Sequence, residues 1–393
     1  MPSRIVTLVV DDPRGALPVI EVESPWWMES GPLVEAARLA FGVEVTIVRL
    51  LEGGTFPGGP VAYLVECPDV DAALLSPWTG KLLDDQRRAP YARPGGIAAL
   101  TEWADAALTE QGLTRRGPVE QVRTWNLSCL LRIRTTGDPV VGGPASGDQV
   151  LWLKAVPDFF AHESDVMAAL ADVDPTLVPE LVATRPGATL MREVGERDGY
   201  EVGPDRHFEA VKRFHTARDR VAPSGLAAVP RFGPAEMTVA LASVARRHSH
   251  DLAPDEASKL ANLTDQVADR WAAGGTKETL VHGDLHGGNL RLAGNGPGMD
   301  TIIDWGDASI SHPLFDLAVL DSYTPDWAPE ATDRWLDLLG CDRTAWSAFR
   351  PLAAIRLATV YQRFCDGIEA SEQIYHRHDI VPALRIGLGA FDE

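Results

Sequence analysis

A chain of 393 residues with 45% apolar side chains and 11 Trp is long enough for two or three domains with ample cores. Its formal net charge of −20 lacks the basic footprint that nucleic-acid binding needs, and no apolar run approaches membrane-spanning length, so neither a nucleic acid nor a membrane is expected as a partner. Cys67, Cys129, Cys341 and Cys365 lack metal-like spacing, and no basic segment precedes an apolar one at the N-terminus, which predicts a cytoplasmic protein without a disulfide framework.

Residues 1–112 read as a small α+β accessory domain ending in a linker helix. Strand-like runs at 5–10 and 17–22 flank the turn Asp11-Asp12-Pro13-Arg14-Gly15, a helix over 33–41 stops at Gly42, and further strands follow at 43–51 and 61–66. The helix-Gly-strand order resembles a Nudix domain, but Leu39-Ala40-Phe41 stand where that family carries metal-binding glutamates. The resemblance therefore implies a recognition or scaffold module, and an unrelated α+β domain is the alternative. Residues 68–94 are irregular and Pro-rich, with Arg87, Arg88 and Tyr91 expected as an exposed docking loop. An amphipathic helix over 97–112 carries Leu100, Trp103, Ala104 and Leu108 on one face, and 114–118 marks a boundary.

Strands are predicted at 121–134 and 149–156, joined by a Gly/Pro-rich loop tip over 135–148. In the second, alternation puts Trp152 and Lys154 on one face, and a lysine between Leu153 and Ala155 in mid-strand is unusual for a solvated one. Nine residues on, Glu163 sits in a helix with apolar face Phe159, Phe160, Val166, Met167 and Leu170. The turn 123–129 has no glycine. A strand over 188–194 and helices containing Phe208, Val211 and His215, then Leu260, Leu263, Val267 and Trp271, come next. His215 reads as a core histidine. Pro351 is expected to open a helix with Ala353, Leu357, Val360, Tyr361, Phe364 and Ile368 on one face.

The chemistry concentrates at 280–320. Strand, polar loop and hairpin bring three side chains forward: Asp284, Asn289 five residues later and Asp304 fifteen after that. This suits phosphoryl transfer from a nucleotide, in which one carboxylate takes the proton of the attacking hydroxyl while an amide oxygen and a second carboxylate hold magnesium. Asp and Asn are also ordinary turn residues, but three in register at this spacing exceed coincidence. His282 and His286 raise zinc as an alternative, weakened by the lack of a third soft ligand.

His282-Gly283-Asp284-Leu285-His286-x-x-Asn289, then Ile303-Asp304-Trp305, then Pro313-x-x-Asp316-Leu317-Ala318, resembles the signature of the aminoglycoside phosphotransferase and choline kinase-like family. The resemblance covers residues 119–393. It implies an α+β, two-lobed, protein-kinase-like fold, with a small lobe at 119–195 and a mainly helical large lobe at 196–393. By the same resemblance Asp284 is the catalytic base, Asn289 and Asp304 bind Mg2+, and Lys154, paired with Glu163 or else Asp165, holds the ATP phosphates. Ser128 and Asn126 are implied as phosphate-loop contacts, and Met191 lies in the strand implied to meet the adenine. His282 braces the loop and Asp316 anchors it. Asp366, Glu369, Glu372 and the cluster at 375–379 either line the acceptor pocket or form a solvated face.

The expected activity is ATP- and Mg2+-dependent phosphorylation of a hydroxyl on a small molecule: an aminoglycoside, another antibiotic, an amino alcohol or a sugar. The acidic surface suits a cationic acceptor, or serves solubility alone. The other class is a catalytically silent kinase-like protein that binds a nucleotide or a partner. The sequence assigns no oligomeric state.

Overall fold

The computed structural model of the chain describes residues 3–137, 149–195, 197–294, 299–323 and 328–392. The loop tip expected at 135–148 lies from 138 onward outside the described residues, as does 295–298 of the turn after Leu292. The chain divides into two compact units, one made of Met1–Ala161, Leu181–Glu193 and Phe364–Tyr375, the other of His162–Glu180, Val194–Arg363 and His376–Glu393.

Among the described residues the first unit contains two sheets. In one, Arg4–Val10 runs parallel to Gly59–Glu66, which pairs antiparallel with Thr46–Gly53. A parallel neighbour requires a crossover, and helix Gly31–Phe41 lies within it. Val6, Leu8 and Val10 alternate onto the face that buries Leu33 and Ala37 of that helix, with Trp27 and Tyr63 completing the core. The other sheet is antiparallel, ordered Leu181–Arg185, Ala188–Arg192, Gln149–Ala155, Ser128–Gly137, Leu113–Arg115, with Glu120–Trp125 also on Ser128–Gly137. Helix Gly96–Glu110 covers it, and Leu100, Ala104 and Leu108 share a core with Leu131, Ile133, Leu151, Leu153 and Leu190. Trp152 and Lys154 are therefore left on the half-exposed face, as alternation predicts.

Phe364–Tyr375 folds into this unit. Tyr375 sits among Trp27, Phe56 and Trp125 at ring distances of 5.6–5.9 Å. Glu372 Oε1 accepts the Leu50 N–H at 2.9 Å, and Glu369 receives Arg88 Nε at 2.9 Å with Arg49 Nε at 3.6 Å. Three expectations are corrected here. Glu369 and Glu372 are buried partners of the N-terminal sheets and do not form a solvated face. Tyr91 is buried, hydrogen-bonded to the backbone oxygens of Trp125 and Asn126, and the Arg88 side chain is buried in its pair with Glu369, so neither is exposed as expected. A polar segment looks solvated in sequence when its partners lie almost three hundred residues away.

The second unit is mainly helical. Its long helix Arg343–Gly367 runs through Pro351, which was expected to open it. The lost hydrogen bond is offset by burial on both sides of the proline, with Phe349, Leu352 and Ile355 inaccessible to solvent. Two short antiparallel pairs, Thr279–Val281 with Ser309–Ser311 and Leu290–Arg291 with Thr301–Ile302, frame the loop at 282–289.

Candidate active site

Asp316, in helix Leu314–Tyr323, is fully buried and takes two consecutive backbone N–H groups: His282 N on Oδ2 at 3.0 Å and Gly283 N on Oδ1 at 2.7 Å. Gly283 has φ of 87°, and a Cβ there would lie 2.3 Å from the Asp307 carbonyl oxygen, so no larger residue fits. His282 Nδ1 accepts the Asp284 N–H at 3.2 Å, so Nε2 carries the proton and donates to Ile303 O at 2.9 Å. Backbone groups thus occupy both ring nitrogens. The histidine braces the loop against the strand that delivers Asp304, which removes it as a zinc ligand.

Asn289 donates from Nδ2 to Asp284 O at 2.8 Å and to Asp284 Oδ2 at 3.2 Å. Both amide protons are spent on the aspartate, leaving Oδ1 to face another electrophile. Asn289 O in turn accepts the Ile303 N–H at 2.9 Å, tying the loop to the strand one residue before Asp304. Asp304 has φ of 67°, the one non-glycine residue with positive φ among the described residues. That conformation costs about 1–2 kcal/mol. It is held by the next residue: Trp305 N donates to Glu163 Oε1 at 3.1 Å and its Nε1 to Ile302 O at 3.0 Å, with the ring buried. Strain kept at a carboxylate, over-determined by its neighbours, is characteristic of functional positions. The Asn289 amide oxygen and the Asp304 carboxylate are hard donors of the kind magnesium takes.

Lys154 belongs to the first unit, in register with Leu130 and Thr189, and Glu163 to the second. Ser128 closes a two-residue turn, its Oγ accepting from Trp125 Nε1 at 3.1 Å. Asn126 points away from a phosphate role: buried, it donates to Glu372 O at 3.1 Å. Met191 pairs with Trp152 and Leu181 in the sheet. His215 is buried, and that burial drives its pKa well below the usual imidazole value.

Sequence reasoning missed several residues around Asp284. Arg356 donates to Gly283 O at 2.8 Å, and Asp307, ion-paired with Arg363, has its carboxyl raised by burial against the pull of that arginine. Tyr200 stacks on His286 at 5.6 Å between ring centroids. None stands in the motif, and only their spatial neighbours mark them.

No curated protein matches this sequence. A structure from Ralstonia eutropha JMP134, assigned as an aminoglycoside phosphotransferase, superposes with a TM-score of 0.53 at 18% identity, over 74% of this chain and 98% of its own. The GDP complex of a mutant aminoglycoside 2'-phosphotransferase-IIIa gives 0.54 at 15% identity, over 74% and 97%. The wild-type complex gives 0.51 at 14%, over 74% and 97%. These likenesses establish a shared protein-kinase-like α+β fold. A family model described as the phosphotransferase enzyme family matches residues 152–352, more than half of the sequence, and the chain belongs to that family.

Proposed function

We propose that the protein transfers the γ-phosphoryl group of Mg·ATP to a hydroxyl of a small molecule, with Asp284 as the base. The observation that carries this reading is the Asn289–Asp284 contact, which spends the amide protons on Asp284 and leaves the asparagine oxygen as an acceptor. The acceptor oxygen attacks the γ-phosphorus, its proton passes to the Asp284 carboxylate, and the bond to the β-phosphate oxygen breaks, releasing the nucleoside diphosphate. Asn289 Oδ1 and the Asp304 carboxylate would hold Mg2+, which when bound neutralises the phosphate oxygens. Lys154, supported by Glu163, would hold the α- and β-phosphates, with Ser128 and the backbone near Met191 as further nucleotide contacts.

Because the relative with aminoglycoside 2'-phosphotransferase activity in its name was solved with GDP, the test uses both donors. Wild type and Asp284→Ala are incubated with Mg·ATP or Mg·GTP and a panel of amino sugars, amino alcohols and simple sugars, and products are read by mass spectrometry. Gain of one phosphoryl group with wild type alone is expected. Transfer by Asp284→Ala at the wild-type rate overturns the base assignment, and intact nucleotide binding without transfer to any member moves the reading to a silent nucleotide-binding protein.

A further inference from the structure

We infer that Tyr200 and His286 form a positioning pair for the base, a role that rests on Asp284 being that base. The segment carrying Tyr200 is clamped on the catalytic loop. Gly199 N donates to Gly287 O at 2.7 Å, and Leu292 N to Arg197 O at 3.0 Å. A Cβ on Gly287 would lie 2.9 Å from the backbone carbonyl of Gly199 and from Tyr200 N, so the two segments meet this closely because that position is glycine.

The hydrogen bonds fix the imidazole's proton. Gly288 N, which can only donate, lies 3.0 Å from His286 Nδ1. Nδ1 is therefore bare, and it also faces Tyr200 Oη at 3.1 Å, with the phenol ring stacked at an interplanar angle of 17°. The proton must then sit on Nε2. That nitrogen lies 3.4 Å from Asp284 Oδ2, the same oxygen that receives Asn289 Nδ2 at 3.2 Å. Nε2 and the asparagine nitrogen are themselves 3.4 Å apart; both are donors, and they converge on one carboxylate oxygen rather than bonding each other. Two N–H groups hold Oδ2, which turns Oδ1 toward the acceptor hydroxyl. Tyr200, 49% exposed, caps the imidazole from the solvent side and keeps its ring in the plane this requires.

The experiment uses the full chain. Long-range 1H–15N spectra of histidine-labelled protein are expected to show His286 protonated on Nε2 with a bare Nδ1 at neutral pH; the opposite tautomer overturns the inference. Slow hydrolysis of Mg·ATP, with water as acceptor, reads the consequence. His286→Leu is expected to lose about tenfold in kcat with the KM for ATP unchanged. His286→Gln, whose Nε2 reaches the same place, recovers most of that rate, and Tyr200→Phe loses a smaller part of it. Equal loss in the Gln and Leu variants, or loss in KM alone, overturns the positioning role. Asp284→Asn separates the two readings: full activity in that variant overturns the base assignment, whereas an inactive Asp284→Asn beside a fully active His286→Leu overturns only the inference about the pair.

Discussion

Arg356 Nη1 donates to the carbonyl oxygen of Gly283 at 2.8 Å, gripping the peptide that leads directly into Asp284 from a position seventy-three residues further along the chain. The guanidinium is buried, lies 5.1 Å from the Phe315 ring centroid and is offset electrostatically by Asp307. Arg356→Leu strands the Gly283 oxygen and removes a favourable charge near Asp307, which keeps its ion pair with Arg363. A loss of about 1–3 kcal/mol is expected. Urea unfolding followed by tryptophan fluorescence measures it, and an unchanged midpoint would contradict the grip.

Asp316→Asn tests the other side of the same loop. A carboxylate can accept from His282 N and Gly283 N together, whereas an amide presents an oxygen to one and an NH2 group to the other. The expected cost is about 1–3 kcal/mol of stability. Misplacement of the loop should also lower kcat by about a hundredfold. Nucleotide affinity should be affected far less, and comparing kcat with the dissociation constant decides the matter.

Asp304 carries both a carboxylate and a left-handed backbone. Replacement by Gly and by Ala removes the carboxylate equally, so both variants should lose Mg2+-dependent nucleotide binding. They should differ in stability, because Gly relieves the backbone and Ala does not, by about 1 kcal/mol in favour of Asp304→Gly. Isothermal titration and thermal unfolding, run side by side, separate metal binding from strain.

Glu372 gives a pH prediction. Burial pushes its carboxyl up to about 8, helped by the neighbouring Glu369, and its Oε2 has no hydrogen-bond partner among the described residues. A carboxyl raised in the folded state keeps a proton that the unfolded chain releases, so its stabilising contribution is complete at low pH and declines as pH rises toward 8. Glu372→Gln keeps an acceptor for the Leu50 N–H and cannot ionise. It should match wild type near pH 5 and become progressively more stable than wild type up to about pH 8, by at most about 1.4 kcal/mol per pH unit. Denaturation midpoints across that range check the slope, and parallel curves would refute it.

Asp284, Asn289 and Asp304 lie within one short stretch, and the geometry that joins them is local: strand, loop, hairpin, with Asn289 reaching back to Asp284 and across to Ile303. Such a site is readable because its spacing is its structure. The strand face of Lys154 was readable for the same reason, since side chains in a strand alternate whatever lies beyond. Periodicity also found helix Gly96–Glu110, but not which sheet its apolar face would cover.

What sequence could not reveal is which distant polar groups meet. Glu369 and Glu372 look like solvent-facing acids until Arg49, Arg88 and the Leu50 amide are folded against them. Arg356 is one arginine among many until its helix brings it to Gly283. Tyr200 is an unremarked aromatic until the glycines of its own segment and of the loop at 282–289 let the two backbones touch. The sequence by itself determined the family and the faces that strand and helix side chains occupy, because these depend on short-range order. The tertiary structure alone decided what positions them, because a buried hydrogen bond or ion pair depends on desolvation and on a partner that no local pattern encodes.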